Sequence, residues 1–189
     1  MEPRPLPASD AEFVDRARRG DESAAREIVD RFARELYRAA FSMVGNAADA
    51  DDVLQETFAG AFRGLGSFEG KSSLKTWLTS ILLRQAARCH RSRGAHKTVT
   101  LDDLSEPARR VLAGRASIPS SEDVDLRMDV MAVLDTLSPD HREIIVLREF
   151  EGLSYDEMAE ALGIPRGTVE SRLFRARREL AQQLRAYLP

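Results

Sequence analysis

The strongest constraint on this chain is a break near its end, Gly163-Ile164-Pro165, set between two stretches that both carry helical periodicity. Ile164 precedes a proline and is pushed toward extended backbone, so no single helix runs through it. Before the break, Ser154 and Glu157 stand three apart as a capping box. Met158, Ala159 and Leu162 then make one apolar face, and Gly163 supplies a left-handed stop. After the break, Thr168 is placed to cap a second helix with Val169, Leu173, Ala176 and Leu180 inward. Leu153 to Arg178 is therefore expected to form two short helices joined by a tight turn. The outer face of the second helix carries Ser171, Phe174, Arg175 and Arg178, a mixture of hydroxyl, aromatic and guanidinium groups that suits the major groove. A helical hairpin with solvated arginines accounts for the same pattern. The coincidence of capping box, glycine turn and outward arginines favours DNA.

The rest of the chain reads as helices too. Residues 1–8 hold three prolines and make a loose arm. Ser9 or Asp10 can cap a helix carrying Phe13, Val14 and Ala17 that Gly20 ends. A second helix from Asp21 sets Ile28, Phe32, Leu36, Ala40 and Met43 or Val44 on one stripe and stops at Gly45-Asn46. A third, from about Asp49 to Arg63, buries Val53, Leu54, Phe58, Ala61 and Phe62 and shows Asp52, Gln55 and Glu56 opposite. The loop from Ser67 to Ser73 leads to a fourth helix, about Leu74 to Arg93, apolar at its start (Leu74, Trp77, Leu78, Ile81, Leu82) and basic at its end (Arg84, Arg88, Arg91, Arg93). Glycines, prolines and paired serines interrupt residues 94–121, which read as a linker able to span on the order of 90 Å when extended. A helix over 122–137 turns Leu126, Val130, Val133, Leu134 and Leu137 inward. Ser138-Pro139 opens the next, with Ile144, Ile145, Leu147 and Phe150 inward as far as Gly152. No period-two strand pattern occurs. The expected fold is all-α: two small helical domains, 1–93 and 122–189, joined by a flexible linker, with the helix-turn-helix in the second.

Charge distribution carries more than the net value of −3 over 189 residues. From Ile164 onward six arginines face two glutamates, whereas Asp49 to Glu56 holds three aspartates and a glutamate. Such asymmetry suggests one face for nucleic acid and another for a different partner. The single cysteine, Cys89, excludes an internal disulfide. No apolar run reaches the roughly 20 residues of a membrane helix, and the amino terminus lacks a signal-peptide core; a cytoplasmic protein is expected.

With both halves in view, a resemblance emerges. DADDVLQETFAGAFRGLGSF followed by KSSLKTWL, then a linker, then LSYDEMAEALGIPRGTVESRLFRARREL, resembles the extracytoplasmic-function (group IV) sigma factors of bacterial RNA polymerase, in order and spacing over almost the whole chain. The resemblance implies a protein without a catalytic site that binds core polymerase, recognises a promoter and helps open it. By that likeness Asp49, Asp52, Gln55 and Glu56 belong to a face that docks on the clamp helices of the largest polymerase subunit, with the flap region as a further contact. A solvated helix face is the plain alternative. The likeness places Phe68, Lys71, Ser72, Trp77, Arg84 and Arg88 at the single-stranded −10 element, where an aromatic can stack on a base and cations can follow phosphates. Phe68 fits a loop residue tucked onto the bundle equally well, and Trp77 fits the core better than a stacking role. Relatives often have asparagine and aspartate where Arg84 and Arg88 stand, which bears on base preference. Arg166, Thr168, Glu170, Ser171, Arg172, Phe174, Arg175 and Arg178 correspond to the −35-reading segment. Arg166, Arg172 and Arg178 are phosphate candidates there. Glu170 occupies a position that is basic in many relatives and can accept from a cytosine amino group instead. An anti-sigma factor is the further partner the family implies.

Two other classes explain less. An enzyme would need a constellation that is missing: there is no P-loop, dinucleotide fingerprint or nucleophile elbow. Cys89, His90 and His96 lack a fourth ligand at zinc-like spacing, so neither metal nor cofactor is expected. A conventional helix-turn-helix regulator binding DNA without polymerase leaves the acidic third helix without a role. A pure polymerase adaptor has no use for the outward arginines of the last helix.

Overall fold

The structure, a computed structural model, describes residues 8–94 and 131–187. Four helices form the amino-terminal part: α1 (Ala8–Arg18), α2 (Glu22–Val44), α3 (Ala47–Gly64) and α4 (Leu74–Gly94), with a 3-10 turn, Leu65–Ser67, after α3. The carboxy-terminal part has helical residues 131–136 (α5), then α6 (Pro139–Ile145), a π turn Val146–Phe150, α7 (Tyr155–Leu162) and α8 (Arg166–Tyr187). Among the described residues there is no strand. Gly94, expected to open the linker, ends α4, and the rest of the linker reading, 95–121, lies outside the described residues with Leu126 and Val130.

Local chemistry sets the helix ends. Asp21 caps α2 by accepting from the Ser23 and Ala24 amides, and Gly45 ends that helix at φ 80°. The Ser23 hydroxyl and the Arg16 guanidinium hold the Asp21 carboxyl well below the usual carboxylate range. Helix α3 starts earlier than its periodicity suggests, because the Asn46 side chain accepts from the Asp49 amide at 3.0 Å. Helix α1 begins at Ala8, ahead of the expected caps, and Asp10 pairs with Arg31 at 2.6 Å. Val14, Ile28, Phe32, Leu36, Val53, Phe58, Leu78 and Leu82 are buried at the centre. Each such side chain contributes roughly 1.5–3 kcal/mol. Phe62, expected inside, is 36% exposed at the edge of the bundle.

The two parts pack against each other and share one hydrophobic core. Helix α7 lies on α4, and α6 and the π turn lie against α2. Polar contacts fasten the seam. Lys75 on α4 donates to the Glu35 carboxylate of α2 at 2.6 Å and to the Glu151 carbonyl at 3.1 Å. Arg142 of α6 donates to Met43 O at 3.0 Å and pairs with Asp135 at 2.8 Å. Met43 O lies at the carboxyl end of α2, where carbonyls lack helical partners. A Cβ on Gly45 would sit 3.2 Å from the Asp135 carboxylate, so that position is restricted by conformation and by space.

Candidate functional site

The helix-turn-helix forms as its residues dictate. The Ser154 hydroxyl accepts from the Glu157 amide at 3.3 Å, and the Glu157 carboxylate accepts from the Ser154 amide at 2.9 Å. Gly163 is left-handed at φ 65°, and its amide reaches back to the Ala159 and Glu160 carbonyls. The second helix begins at Arg166, not at Thr168. Pro165 does what was expected of Thr168: its carbonyl accepts from the Thr168 and Val169 amides, so Thr168 lies inside the first turn. Val169, Leu173 and Ala176 are fully buried, which fixes the rotation of α8.

That rotation leaves Glu170, Ser171, Phe174, Arg175 and Arg178 exposed, with Phe174 at 69% the most exposed large apolar side chain described. Phe174 thus stands exposed among the arginines of this helix face. Arg175 is exposed and donates to its own helix at Ser171 O, 3.2 Å away. Arg172 is half-buried and leans on Asp140 at 3.4 Å. Arg166 is bidentate on Asp156 at 3.0 and 2.9 Å and also donates to Glu170 at 3.0 Å. Glu170 and Arg166 thus form one local pair. On neighbouring α6, burial and then Asp140 push the Glu143 carboxyl up to about 7, against the opposing pull of Arg172.

On α3, Asp52, Gln55 and Glu56 are exposed on one face. Asp49 is not part of that open face: it is half-buried, and its carboxylate accepts from the Asn46 amide nitrogen and from Cys89 Sγ, both at 3.2 Å. Its geometry is that of a helix-start brace.

The segment after α3 needs the largest revision. Phe68 is 3% exposed and packs against Trp77 with the rings tilted by 38° at a centroid separation of 4.8 Å, so it is a core residue and has no face to offer a base. Ser72 is buried as well, at 9%. The cause is sterically simple: the 3-10 turn brings the chain back over α4, where Trp77 receives the Phe68 ring. Trp77 keeps a half-exposed edge. Lys71, Arg84 and Arg88 are exposed, Lys71 paired with Glu69 on the loop and the two arginines one turn apart on α4.

Several working residues gave little signal in the sequence. Lys75, Arg142 and Glu151 occupy the seam, and Arg18 reaches from α1 to the turn after α3. The one available cue was Lys75, a cation set inside the apolar start of α4.

Known proteins resemble this chain over both halves. Residues 28–96 match the Sigma-70 region 2 family and residues 127–180 match Sigma-70, region 4. The RNA polymerase sigma-H factor of Pseudomonas aeruginosa is 35% identical over 185 residues, 95% of each protein. The ECF RNA polymerase sigma-E factor of Escherichia coli is 34% identical over 176 residues, covering 89% of this chain and 91% of that one. Among solved structures, CnrH in complex with the cytosolic domain of CnrY matches at TM-score 0.69 and 29% identity, over 94% of this chain and 97% of that one. The sigma factor RpoE in complex with the anti-sigma factor NepR from Bartonella quintana matches at 0.66 and 29% identity, over 85% of this chain and 96% of that one. Region 2 followed by region 4 is the order of a sigma factor and sets aside the conventional regulator. The chain belongs to the extracytoplasmic-function sigma factors, transcription initiation factors of bacterial RNA polymerase.

Proposed function

We propose that three exposed faces divide the work of initiation. Asp52, Gln55 and Glu56 on α3 dock core polymerase. Lys71, Arg84 and Arg88, with the open edge of Trp77, follow the −10 strand. Ser171, Phe174, Arg175 and Arg178 read the −35 element. The observation that carries this reading is the separation of an exposed acidic face on α3 from an exposed arginine and aromatic face on α8. Acidic groups favour basic polymerase side chains and repel DNA, while guanidinium groups do the opposite. In this reading the amino-terminal helices form the polymerase and −10 domain, and the helices from 131 onward form the −35 domain. The protein acts by binding and not by catalysis, and it works in the cytoplasm beside the polymerase.

An anti-sigma factor is a fitting further partner, since CnrH and RpoE, both similar in fold to this chain, are seen in complex with CnrY and NepR. The division of faces is tested with purified core polymerase. Arg175→Ala is expected to weaken binding of an upstream-element duplex by roughly tenfold or more, about 1–3 kcal/mol, with polymerase affinity unchanged. Asp52→Lys with Glu56→Lys is expected to reverse that pattern. Equal loss of both activities in either variant would overturn the division.

A further inference from the structure

We infer that Arg18, on the amino-terminal helix, is a positioning residue for −10 recognition, acting through the loop between α3 and α4. Its guanidinium spans two carbonyls: Nε donates to Leu65 O at 3.0 Å, and a terminal nitrogen donates to Phe68 O. A third contact, to Asp15 at 3.2 Å, fixes the fork from its own helix. Leu65 and Phe68 bracket the 3-10 turn, and the Phe68 amide closes that turn onto Leu65 O at 3.2 Å. Arg18 therefore clasps both ends of the turn that launches the loop. Downstream of the clasp, the Phe68 ring is wedged on Trp77, Gly70 is left-handed at φ 69°, and the exposed Lys71 pairs with Glu69 on the same loop.

The clasp is a job for arginine. Two carbonyls some residues apart must be met by donors in a fixed fork, which guanidinium provides and an ammonium does not. If the fork is withdrawn, the Leu65 and Phe68 carbonyls turn to water and the loop loses its anchor. The direction of Lys71 and the seat of Phe68 on Trp77 are then no longer fixed. Fixed direction matters for following a single strand, because each degree of loop freedom must be lost again on binding. Arg18 lies outside residues 28–96, the stretch that matches the region 2 family.

This inference rests on the reading that the loop and α4 hold the −10 strand, and the experiment separates the two. Full-length protein with core polymerase is assayed for affinity to a single-stranded −10 oligonucleotide, to an upstream-element duplex and to polymerase itself. Arg18→Ala is expected to lower single-strand affinity about tenfold and to leave the other two affinities unchanged. Arg18→Lys, which keeps the charge but reaches one carbonyl, is expected to fall between. A general loss of fold in Arg18→Ala would show as a parallel fall in all three affinities and in the lysine variant alike, and would overturn the inference. Lys71→Ala and Arg84→Ala test the underlying reading. If they weaken single-strand capture and Arg18→Ala does not, the positioning role is wrong and the reading stands. If none of the variants changes it, the −10 assignment itself is wrong.

Discussion

Arg166 sits between two carboxylates, Asp156 and Glu170, and its ring neighbour Tyr155 lies 5.9 Å beneath the guanidinium carbon. Both pairs are exposed and screened by water, so each exchanges readily for a phosphate. In the proposed −35 reading, Glu170 competes with DNA for Arg166 and repels the backbone as well. Glu170→Gln is therefore predicted to raise holoenzyme affinity for an upstream-element duplex several-fold and to steepen the log–log salt dependence by about one phosphate. Titrations at three salt concentrations check this. An unchanged slope with altered sequence preference would instead make Glu170 a base-reading residue. At this scale the sequence was informative about type and less so about availability. The exposed set on α8 followed from periodicity, since Val169, Leu173 and Ala176 fix the buried side. Phe68 did not, because nothing local reveals that the chain folds back to put its ring on Trp77. The half-burial of Asp49 was only partly legible: its Asn46 partner is a local cap, but Cys89 reaches it from α4.

Between α6 and α7 the backbone takes a π turn, with the Glu151 amide donating to Val146 O at 3.0 Å. A helix continued at 3.6 residues per turn from Ile144, Ile145 and Leu147 would carry Phe150 inward. The wider π step rotates the register, so Phe150 is 49% exposed and Glu151 enters the seam at 8%. Burial pushes the Glu151 carboxyl up against the pull of Lys75. Helix α6 carries its own titrating group. Glu143 in the folded protein keeps its proton to about 7, against an ordinary value of 4.5. Its contribution to stability is complete below the unfolded value and is lost as pH rises through the folded one. Urea midpoints are predicted to fall between pH 5 and pH 8, and Glu143→Gln to flatten that fall by roughly 2 kcal/mol. A variant with the wild-type pH profile would show that Glu143 ionises normally. Most element boundaries were readable from caps and glycines. The π turn was not, since it is imposed by packing on α2 and not by any residue within it.

Taken whole, the molecule places the two sigma regions on one packed body while leaving the acidic face of α3 and the basic face of α8 both open. Lys75 is central to that seam. Burial alone would lower its pKa, but Glu35 and Glu151 outweigh burial and keep the ammonium charged. Lys75→Glu would set a third carboxylate against those two, an arrangement that costs several kcal/mol when water is excluded. Small-angle scattering of this variant is predicted to show a larger radius of gyration than the wild type, and adding Glu151→Lys to restore part of the contraction. An unchanged radius would mean that apolar packing alone holds the seam. The order of the two sigma regions, 28–96 and then 127–180, was legible from sequence, because each carries its own apolar periodicity. Their packing was not, as it depends on Lys75 meeting Glu151 and Arg142 meeting Met43, across 76 and 99 residues of chain. The most direct measurement is transcription reconstituted from purified bacterial core polymerase and genomic fragments, with and without this protein. Discrete transcripts that require the protein, and that disappear with Arg175→Ala, are the predicted result. DNA binding by the protein alone, with no transcripts from the polymerase, would contradict it.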